Sequence, residues 1–173
     1  MHATDLQTLL DLEQIKRLKA AYCRYLDTKQ WPRLRALFAD ETIFEGFGSA
    51  PTGSTADQFI AGIAARLTDA VTVHHCHMPE IEFLDPDRAR GVWAMMDLVD
   101  LGEGRSPREA PGHRGFLGLG HYEEEYRRVD GLWKFCFLRL TRLRVDPMRL
   151  DYPAARTDLL AATTDWLAGA VRP

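Results

Sequence analysis

Three histidines stand within four positions of one another in this chain, at His74, His75 and His77. Histidine changes charge near neutral pH, so this cluster predicts proton transfer or metal binding before it predicts packing. The β-branched residues before the cluster and Pro79 after it favour a strand that ends near Met78. Strand alternation then separates His74 from His75 and His77, because successive side chains point to opposite faces. His74 therefore needs an interpretation separate from that of His75 and His77.

His74 shares its predicted face with Thr72, Cys76 and Met78. This mildly apolar neighbourhood could hold a neutral imidazole, because burial disfavours the charged form. A neutral imidazole is what a general base needs near pH 7. The alternative is a core histidine whose ring bonds a backbone carbonyl and takes no part in chemistry.

His75 and His77 share the opposite face, and Glu80 follows them. Adjacent imidazoles on one strand face can chelate Zn²⁺ or Fe²⁺, so the pair resembles half of a metal site. The alternative, which the sequence favours, places both side chains away from any pocket in structural or interfacial positions. We therefore predict no metal ion and no cofactor.

The composition is that of one ordinary globular domain. The chain has 173 residues, of which 46% are hydrophobic and 27% charged, enough for one sizeable core. A formal net charge of -3 and the lack of a lysine-rich run argue against a nucleic-acid partner. No apolar segment resembles a signal or a membrane span, so we expect a cytoplasmic protein. Cys23, Cys76 and Cys136 are odd in number, and we expect reduced, mostly buried thiols.

The apolar periodicity changes from helical to strand-like after residue 70. The elements predicted before that point are a helix over 5–26, a helix over 31–38, a strand over 42–44 and a helix from Ser54 or Thr55 to Leu67. The strands predicted after it cover 71–78, 80–83, 88–101, 116–129 and 132–145. Helices followed by a strand meander indicate an α+β domain.

Two further segments complete the sequence pattern. The polar stretch Gly102–Gly112 connects two predicted strands and is either a disordered loop or the rim of a pocket. The run Asp158–Val171 is amphipathic enough to form a docked C-terminal helix.

Four short segments resemble the SnoaL-like branch of the nuclear-transport-factor-2-like superfamily, and the likeness extends over about residues 5–146. They are Leu26–Trp31, Val73–Ile81, Gly120–Tyr122 with Tyr126, and Val129–Phe135. The resemblance implies one SnoaL-like domain over 1–173, with a core at about 5–146 and a C-terminal extension over 147–173. It implies a cone-shaped, cystatin-like α+β barrel, in which a strongly curved, mostly antiparallel sheet wraps around N-terminal helices and an apolar pocket.

The same resemblance implies catalytic roles for four side chains. His74 matches the pocket histidine of the family's dehydratases and would act as the base, while Asp27 would orient its ring. Tyr22 would bind the substrate oxygen, and His121 would donate a proton to a departing hydroxyl. Ordinary packing or solvent-exposed roles remain the alternatives for each, and Asp27 reaches the cone interior only if the first helix ends or bends there.

The resemblance also indicates which side chains would contact a substrate. These are Met78, Phe47, Thr141, Arg142 and Trp93. Met78 stands where relatives often carry a polar asparagine, which favours a more apolar substrate. Arg142 could hold a carbonyl or carboxylate, and a surface salt bridge is its alternative.

The sequence therefore predicts a cofactor-independent dehydratase for a hydrophobic hydroxy-carbonyl compound of polyketide, steroid or aromatic type. Two imidazoles, at His74 and His121, suit a dehydration because it needs both a base and an acid. The alternatives are an isomerase or cyclase of the same fold, or a non-catalytic module that binds hydrophobic ligands or dimerises. We expect a homodimer or higher homo-oligomer that binds a small hydrophobic substrate and neither nucleic acid nor a membrane.

Overall fold

Helices and strands follow the predicted order along the chain. The computed structural model describes residues 3–149 and 151–153. The elements are α1 (Ala3–Asp27), α2 (Trp31–Ala36), β1 (Phe38–Glu45), α3 (Ala56–Leu67), β2 (Val71–Asp85), β3 (Arg88–Asp100), β4 (Gly115–Val129) and β5 (Leu132–Met148). The predicted helix over Asp158–Val171 lies outside the described residues.

The five strands of the described residues form one mixed sheet in the order β1-β5-β4-β3-β2. β1 pairs with β5 in parallel, and every other pairing is antiparallel. Register shifts interrupt three of the four pairings, and such bulges increase twist and bend a sheet around its contents. The predicted α+β class with N-terminal helices inside a curved sheet is confirmed, and the sheet stays open between its edge strands β1 and β2.

The strand that carries the histidine cluster is longer than predicted. β2 continues through Met78 and Pro79 to Asp85, so the predicted break there is wrong. The register shifts between His77 and Glu80, and Met78 has a φ of 40°. A bulge in an edge strand accommodates a proline that has no N–H to donate, which explains why Pro79 bends β2 without ending it.

The helices close the concave face of the sheet with apolar side chains. α1 buries Ile15, Leu18, Tyr22 and Leu26, which recur at helical spacing. Thr55 caps the start of α3: its side chain accepts from the N–H of Gln58, while the Gln58 side chain accepts from the N–H of Thr55. This reciprocal cap satisfies N–H groups that a helix start leaves open.

An aromatic cluster fills the space between the helices and the sheet. The rings of Phe44 and Phe59 stack with centroids 3.8 Å apart, and Phe38 packs against both of them as well as against Phe135. Tyr22 contacts the cluster edge-on, with its centroid 5.7 Å from that of Phe135. No helix of the described residues is long and apolar enough to cross a membrane.

A charged pair lies inside this core beside the aromatic rings. Lys19 of α1 donates to Glu124 of β4, and their side chains are 1% and 0% exposed. The Lys19 ammonium also lies 3.5 Å from the centroid of the Tyr122 ring. Tyr126 donates to Glu124, and Trp93 Nε1 donates to the Tyr126 hydroxyl at 2.8 Å. Pairing of this kind is needed because an isolated charge is expensive to bury.

Candidate active site

Asp27 and His74 meet where the end of α1 contacts β2. His74 Nδ1 lies 2.6 Å from Asp27 Oδ1, and the backbone N–H of His74 donates to Asp27 Oδ2 at 2.8 Å. The carboxylate therefore holds both the ring and the backbone of the same residue. When the ring is neutral, the short contact with Asp27 favours the tautomer with the proton on Nδ1 and leaves Nε2 unprotonated.

The termination of α1 explains how Asp27 reaches this position. The helix ends at Asp27, and Lys29 follows with a φ of 60°, in the left-handed region that reverses a chain after a helix. Gln30 N–H then donates back to the Tyr25 carbonyl at 2.8 Å. Because Asp27 stands at the end of the helix, its side chain turns to edge strand β2 and satisfies the free N–H of His74.

A chain of donors leads from Lys29 to the same carboxylate. Lys29 Nζ donates to Thr72 Oγ1 at 2.7 Å, and Thr72 Oγ1 donates to Asp27 Oδ1 at 2.9 Å. Burial lowers the pKa of Lys29 to about 8, although the nearby Asp27 carboxylate acts in the opposite direction. Asp27 thus receives hydrogen bonds from a backbone N–H, a hydroxyl and an imidazole.

A second carboxylate lies beyond the other ring nitrogen of His74. Asp97 Oδ2 is 3.9 Å from His74 Nε2. Arg142 binds Asp97 through two parallel hydrogen bonds of 2.7 and 2.6 Å, and Asp97 is only 2% exposed. Gly118 makes room for this pair, since a Cβ there would lie 1.8 Å from Arg142 Nη1.

His74 borders a cavity between the helices and the concave face of the sheet. Its wall combines apolar and aromatic side chains with a few polar ones. The residues that decide its chemistry are Tyr22, Phe47, His74, Asp97, Tyr122 and Arg142. The cavity encloses about 50 Å³, which is less than the roughly 300 Å³ or more of most small-molecule sites, but its apolar wall with convergent polar groups has their chemistry.

Two tyrosines line the cavity. Tyr22 and Tyr122 are 1% and 2% exposed, and their rings meet edge-on with centroids 5.8 Å apart. Burial raises the pKa of both hydroxyls well above the usual value for tyrosine. Both phenols therefore stay neutral and can donate a hydrogen bond to an oxygen that gains negative charge.

The connection between β3 and β4 forms part of the cavity wall. Glu109 of this connection pairs with Arg66 of α3, and both line the cavity. Arg105 also donates to the Arg66 carbonyl. Of the two interpretations of the polar stretch Gly102–Gly112, the pocket rim is therefore confirmed.

His121 and Thr141 do not reach the cavity, so their predicted positions are wrong. They are register partners on β4 and β5, and each points away from the helices. His121 directly precedes the buried Tyr122, which faces inward, and alternation along the strand sends the histidine to the outer face. At this point of β4 the inward side chain is Tyr122.

Met78 and Trp93 also lie outside the candidate site. Met78 is 84% exposed because the β2 bulge turns it away from the interior. Trp93 is buried, but it contacts the Tyr126 hydroxyl deeper in the core and does not line the cavity. Of the five predicted substrate contacts, Phe47 and Arg142 line the cavity.

His75 and His77 point to the exposed face of β2, as strand alternation predicts. Their ring centroids are 5.9 Å apart. Within the part of the chain that the structure describes, no group of three or more His, Cys, Asp or Glu side chains is arranged to hold a metal ion. The metal interpretation of this pair therefore lacks a third ligand.

Asp97 and Tyr122 line the cavity but are not among the residues predicted from the sequence. Asp97 is the one charged residue in an otherwise apolar run that extends from Val92 to Val99. A single carboxylate in a buried strand indicates a cationic or hydrogen-bonding side chain beside it. Tyr122 could be found from strand alternation, because it lies six residues after the buried Phe116 and therefore on the same face of β4.

Known proteins resemble this chain in sequence or in structure. A Gibberella zeae protein named Probable cyclase FGR4 is 27% identical over 142 residues, which cover 75% of this chain and 89% of that protein. A hexachlorocyclohexane dehydrochlorinase, LinA type 2, has a TM-score of 0.73 at 24% identity over 87% of this chain and 97% of its own. A candidate scytalone dehydratase from Novosphingobium aromaticivorans has a TM-score of 0.68 at 21% identity over 88% and 99%.

The family assignment rests on a match that extends from α1 into β5. The family model described as SnoaL-like domain matches residues 7–139. This range contains both halves of the Asp27–His74 pair and most of the cavity wall. The chain belongs to the SnoaL-like domain family.

Proposed function

We propose that this protein is a cofactor-independent lyase that removes water from a small, uncharged, hydrophobic hydroxy-carbonyl compound. The observation that carries the proposal is the 2.6 Å contact between Asp27 Oδ1 and His74 Nδ1 at the wall of a largely apolar cavity. A neutral imidazole held by a carboxylate is a general base whose free nitrogen faces the substrate space.

His74 Nε2 takes the proton from the carbon next to the substrate carbonyl. The electron pair of that C–H bond forms the C=C bond of the enolate, and the π pair of the C=O bond moves to the carbonyl oxygen, which receives a hydrogen bond from Tyr22 or Tyr122. The new imidazolium is stabilised by the Asp27 carboxylate on one side and by Asp97 on the other.

One imidazole serves as both base and acid in this scheme, because His121 lies on the outer face. When the enolate collapses and the C–O bond of the hydroxyl breaks, the proton on His74 Nε2 passes to the leaving oxygen as water. The proton removed and the hydroxyl lost must then lie on the same side of the substrate, near His74. Syn elimination is therefore the expected stereochemistry.

The charges around the cavity favour an uncharged substrate. Arg142 is neutralised by Asp97 and Arg66 by Glu109. A carboxylate or phosphate on the substrate would have to break one of these pairs and leave a buried carboxylate without its partner. The Phe47 ring and the two phenols instead offer surfaces for an apolar or aromatic body.

Cyclisation is the second candidate function, and the name of the Gibberella zeae relative favours it. Proton abstraction by His74 followed by attack of the enolate carbon on a second carbonyl of the same molecule uses the same base and the same oxygen-binding phenols. The names of the dehydrochlorinase and the candidate dehydratase, which share the fold, favour elimination.

The experiment is a turnover screen read by mass spectrometry. Neutral β-hydroxy ketones and linear polyketide-like ketones are incubated with the wild type and with His74→Ala. Dehydration and aldol cyclisation with dehydration both remove water, about 18 Da, and NMR of the product distinguishes an open alkene from a new ring. A compound that the wild type converts and His74→Ala does not supports the proposal. Binding without conversion by the wild type favours the ligand-binding alternative.

We further expect the wild type to form a homo-oligomer through the outer face of the sheet, where Val73 and Leu143 are 42% and 71% exposed. Light scattering at micromolar concentration measures the mass. A monomer at all concentrations contradicts this expectation.

A further inference from the structure

Two cysteine side chains lie in contact beside the Asp27–His74 pair. Cys23 Sγ of α1 and Cys76 Sγ of β2 are 3.6 Å apart, although they are separated by 53 residues in sequence. Both side chains are half-buried and neither forms a disulfide. Two thiols on different elements in van der Waals contact need only a small approach to reach the bonded distance of about 2.05 Å.

An open groove gives reagents access to both sulfurs. Cys23 and Cys76 line this groove together with Lys16, Lys19 and His75. The groove is separate from the substrate cavity, which lies on the other side of His74. A small oxidant can therefore reach the thiols without entering the substrate cavity.

The neighbouring groups shift the pKa values of the two thiols in opposite directions, which makes Cys76 the reactive thiol and Cys23 the resolving one. A hydrogen bond from the Cys23 thiol lowers the pKa of Cys76, and the Lys19 ammonium acts in the same direction, against burial and the Glu124 and Asp27 carboxylates. The same contact and burial raise the pKa of Cys23. A sulfur of lowered pKa beside a second thiol is the usual arrangement of an oxidation-sensitive pair.

We propose that Cys23 and Cys76 are a redox-active pair that a hydroperoxide converts into an intramolecular disulfide. The Cys76 thiolate attacks the peroxide, breaks the O–O bond and becomes a sulfenic acid, with the departing oxygen leaving as water for hydrogen peroxide. The Cys23 thiol then attacks the sulfenic sulfur, loses its proton to the leaving hydroxyl, and releases a second water as the S–S bond forms. Two thiols are oxidised and one peroxide is reduced.

The cross-link would join the two elements that carry the candidate base. Cys23 precedes Asp27 by about one helical turn, and Cys76 follows His74 by two residues on the same face of β2. The disulfide therefore fixes α1 to β2 beside the His74–Asp27 contact. Its formation does not depend on the reaction that the cavity performs.

The test treats the full chain with a small excess of hydrogen peroxide and then alkylates the remaining thiols under denaturing conditions. The wild type is expected to lose about 2 Da, to retain Cys136 as its alkylated thiol, and to yield a cross-linked Cys23–Cys76 peptide that dithiothreitol releases. Cys23→Ser is expected to yield no cross-link and to carry a sulfenic acid on Cys76 that dimedone traps.

Three results of the same experiment would contradict the proposed disulfide. Full alkylation of Cys23 and Cys76 after peroxide treatment overturns the proposal. So does a disulfide that involves Cys136 or joins two chains, or a wild-type Cys76 that proceeds to sulfinic acid without bonding Cys23.

Discussion

The Asp27 carboxylate binds His74 at two places, accepting the backbone N–H at Oδ2 and facing the ring Nδ1 at Oδ1. The first bond anchors the strand and the second sets the tautomer of the ring, so one side chain fixes both the position and the protonation pattern of the candidate base. Since Asp27 is the last residue of α1 and His74 lies on edge strand β2, this contact also joins the helix to the sheet.

Replacing Asp27 with asparagine is expected to lower kcat/KM by about 10²–10⁴-fold while the fold persists. The amide can donate to Nδ1 and thereby stabilise the tautomer that carries its proton on Nε2, the wrong nitrogen for a base. NMR of ¹⁵N-labelled histidine reports the tautomer directly. The control is Asp130→Asn in the exposed turn between β4 and β5, and equal activity of the two variants would contradict the role given to Asp27.

Lys29 is expected to make the free energy of unfolding depend on pH. Burial lowers its pKa to about 8 in the folded chain, from 10.5. Between these values the unfolded chain binds more protons at Lys29 than the folded chain does, so this residue's contribution to the unfolding free energy rises with pH.

Urea denaturation at about pH 7.5 and about pH 9.5 measures this effect as a difference from Lys29→Met, which cannot titrate. The unfolding free energy of the wild type relative to Lys29→Met should increase across the interval. The tyrosine and cysteine titrations occur in both proteins and cancel. A constant or falling difference would show that Lys29 is not desolvated.

The Lys19–Glu124 pair is expected to behave as a buried ion pair. Lys19→Met alone leaves the Glu124 carboxylate in the core without its cation and should lower the free energy of unfolding by about 3–5 kcal/mol. Lys19→Met combined with Glu124→Gln removes both charges and should recover most of that loss. Urea denaturation of four proteins, the wild type, Lys19→Met, Glu124→Gln and the double variant, tests this coupling. If the loss in the double variant equals the sum of the two single losses, the two side chains act independently.

Gly118→Ala is expected to lower turnover by displacing the Arg142–Asp97 pair. The new methyl group would occupy the space of the Arg142 guanidinium, which must move away from Asp97. A displacement of about 1 Å near a reacting group can cost about 10²-fold in rate. Thr141→Ala, on the outer face of β5, is the control and should keep wild-type turnover. Equal kcat/KM for both variants would exclude a role for the pair in positioning His74 or the substrate.

The sequence predicts the fold better than it predicts the membership of the site. Periodicity located the helices and strands, and the family resemblance pointed to Tyr22 and His74, which line the cavity, and to Asp27, which contacts His74. The errors come from bulges and strand parity. The bulge at Met78 points this side chain to solvent, although alternation predicts it on the inner face. On β4 the side chain that faces the cavity is Tyr122, one residue after the predicted His121. No local pattern encodes the Arg142–Asp97 contact, since it joins residues 45 positions apart.

The role of His74 as the base is tested by comparing the kinetics of His74→Ala and His121→Ala on a compound that the wild type converts. Both variants remove one imidazole from the sheet, but His74 faces the cavity and His121 faces away from it. We expect a loss of about 10²–10⁴-fold in kcat/KM for His74→Ala with an unchanged circular dichroism spectrum, and wild-type activity for His121→Ala. Normal turnover by His74→Ala would contradict this role of His74.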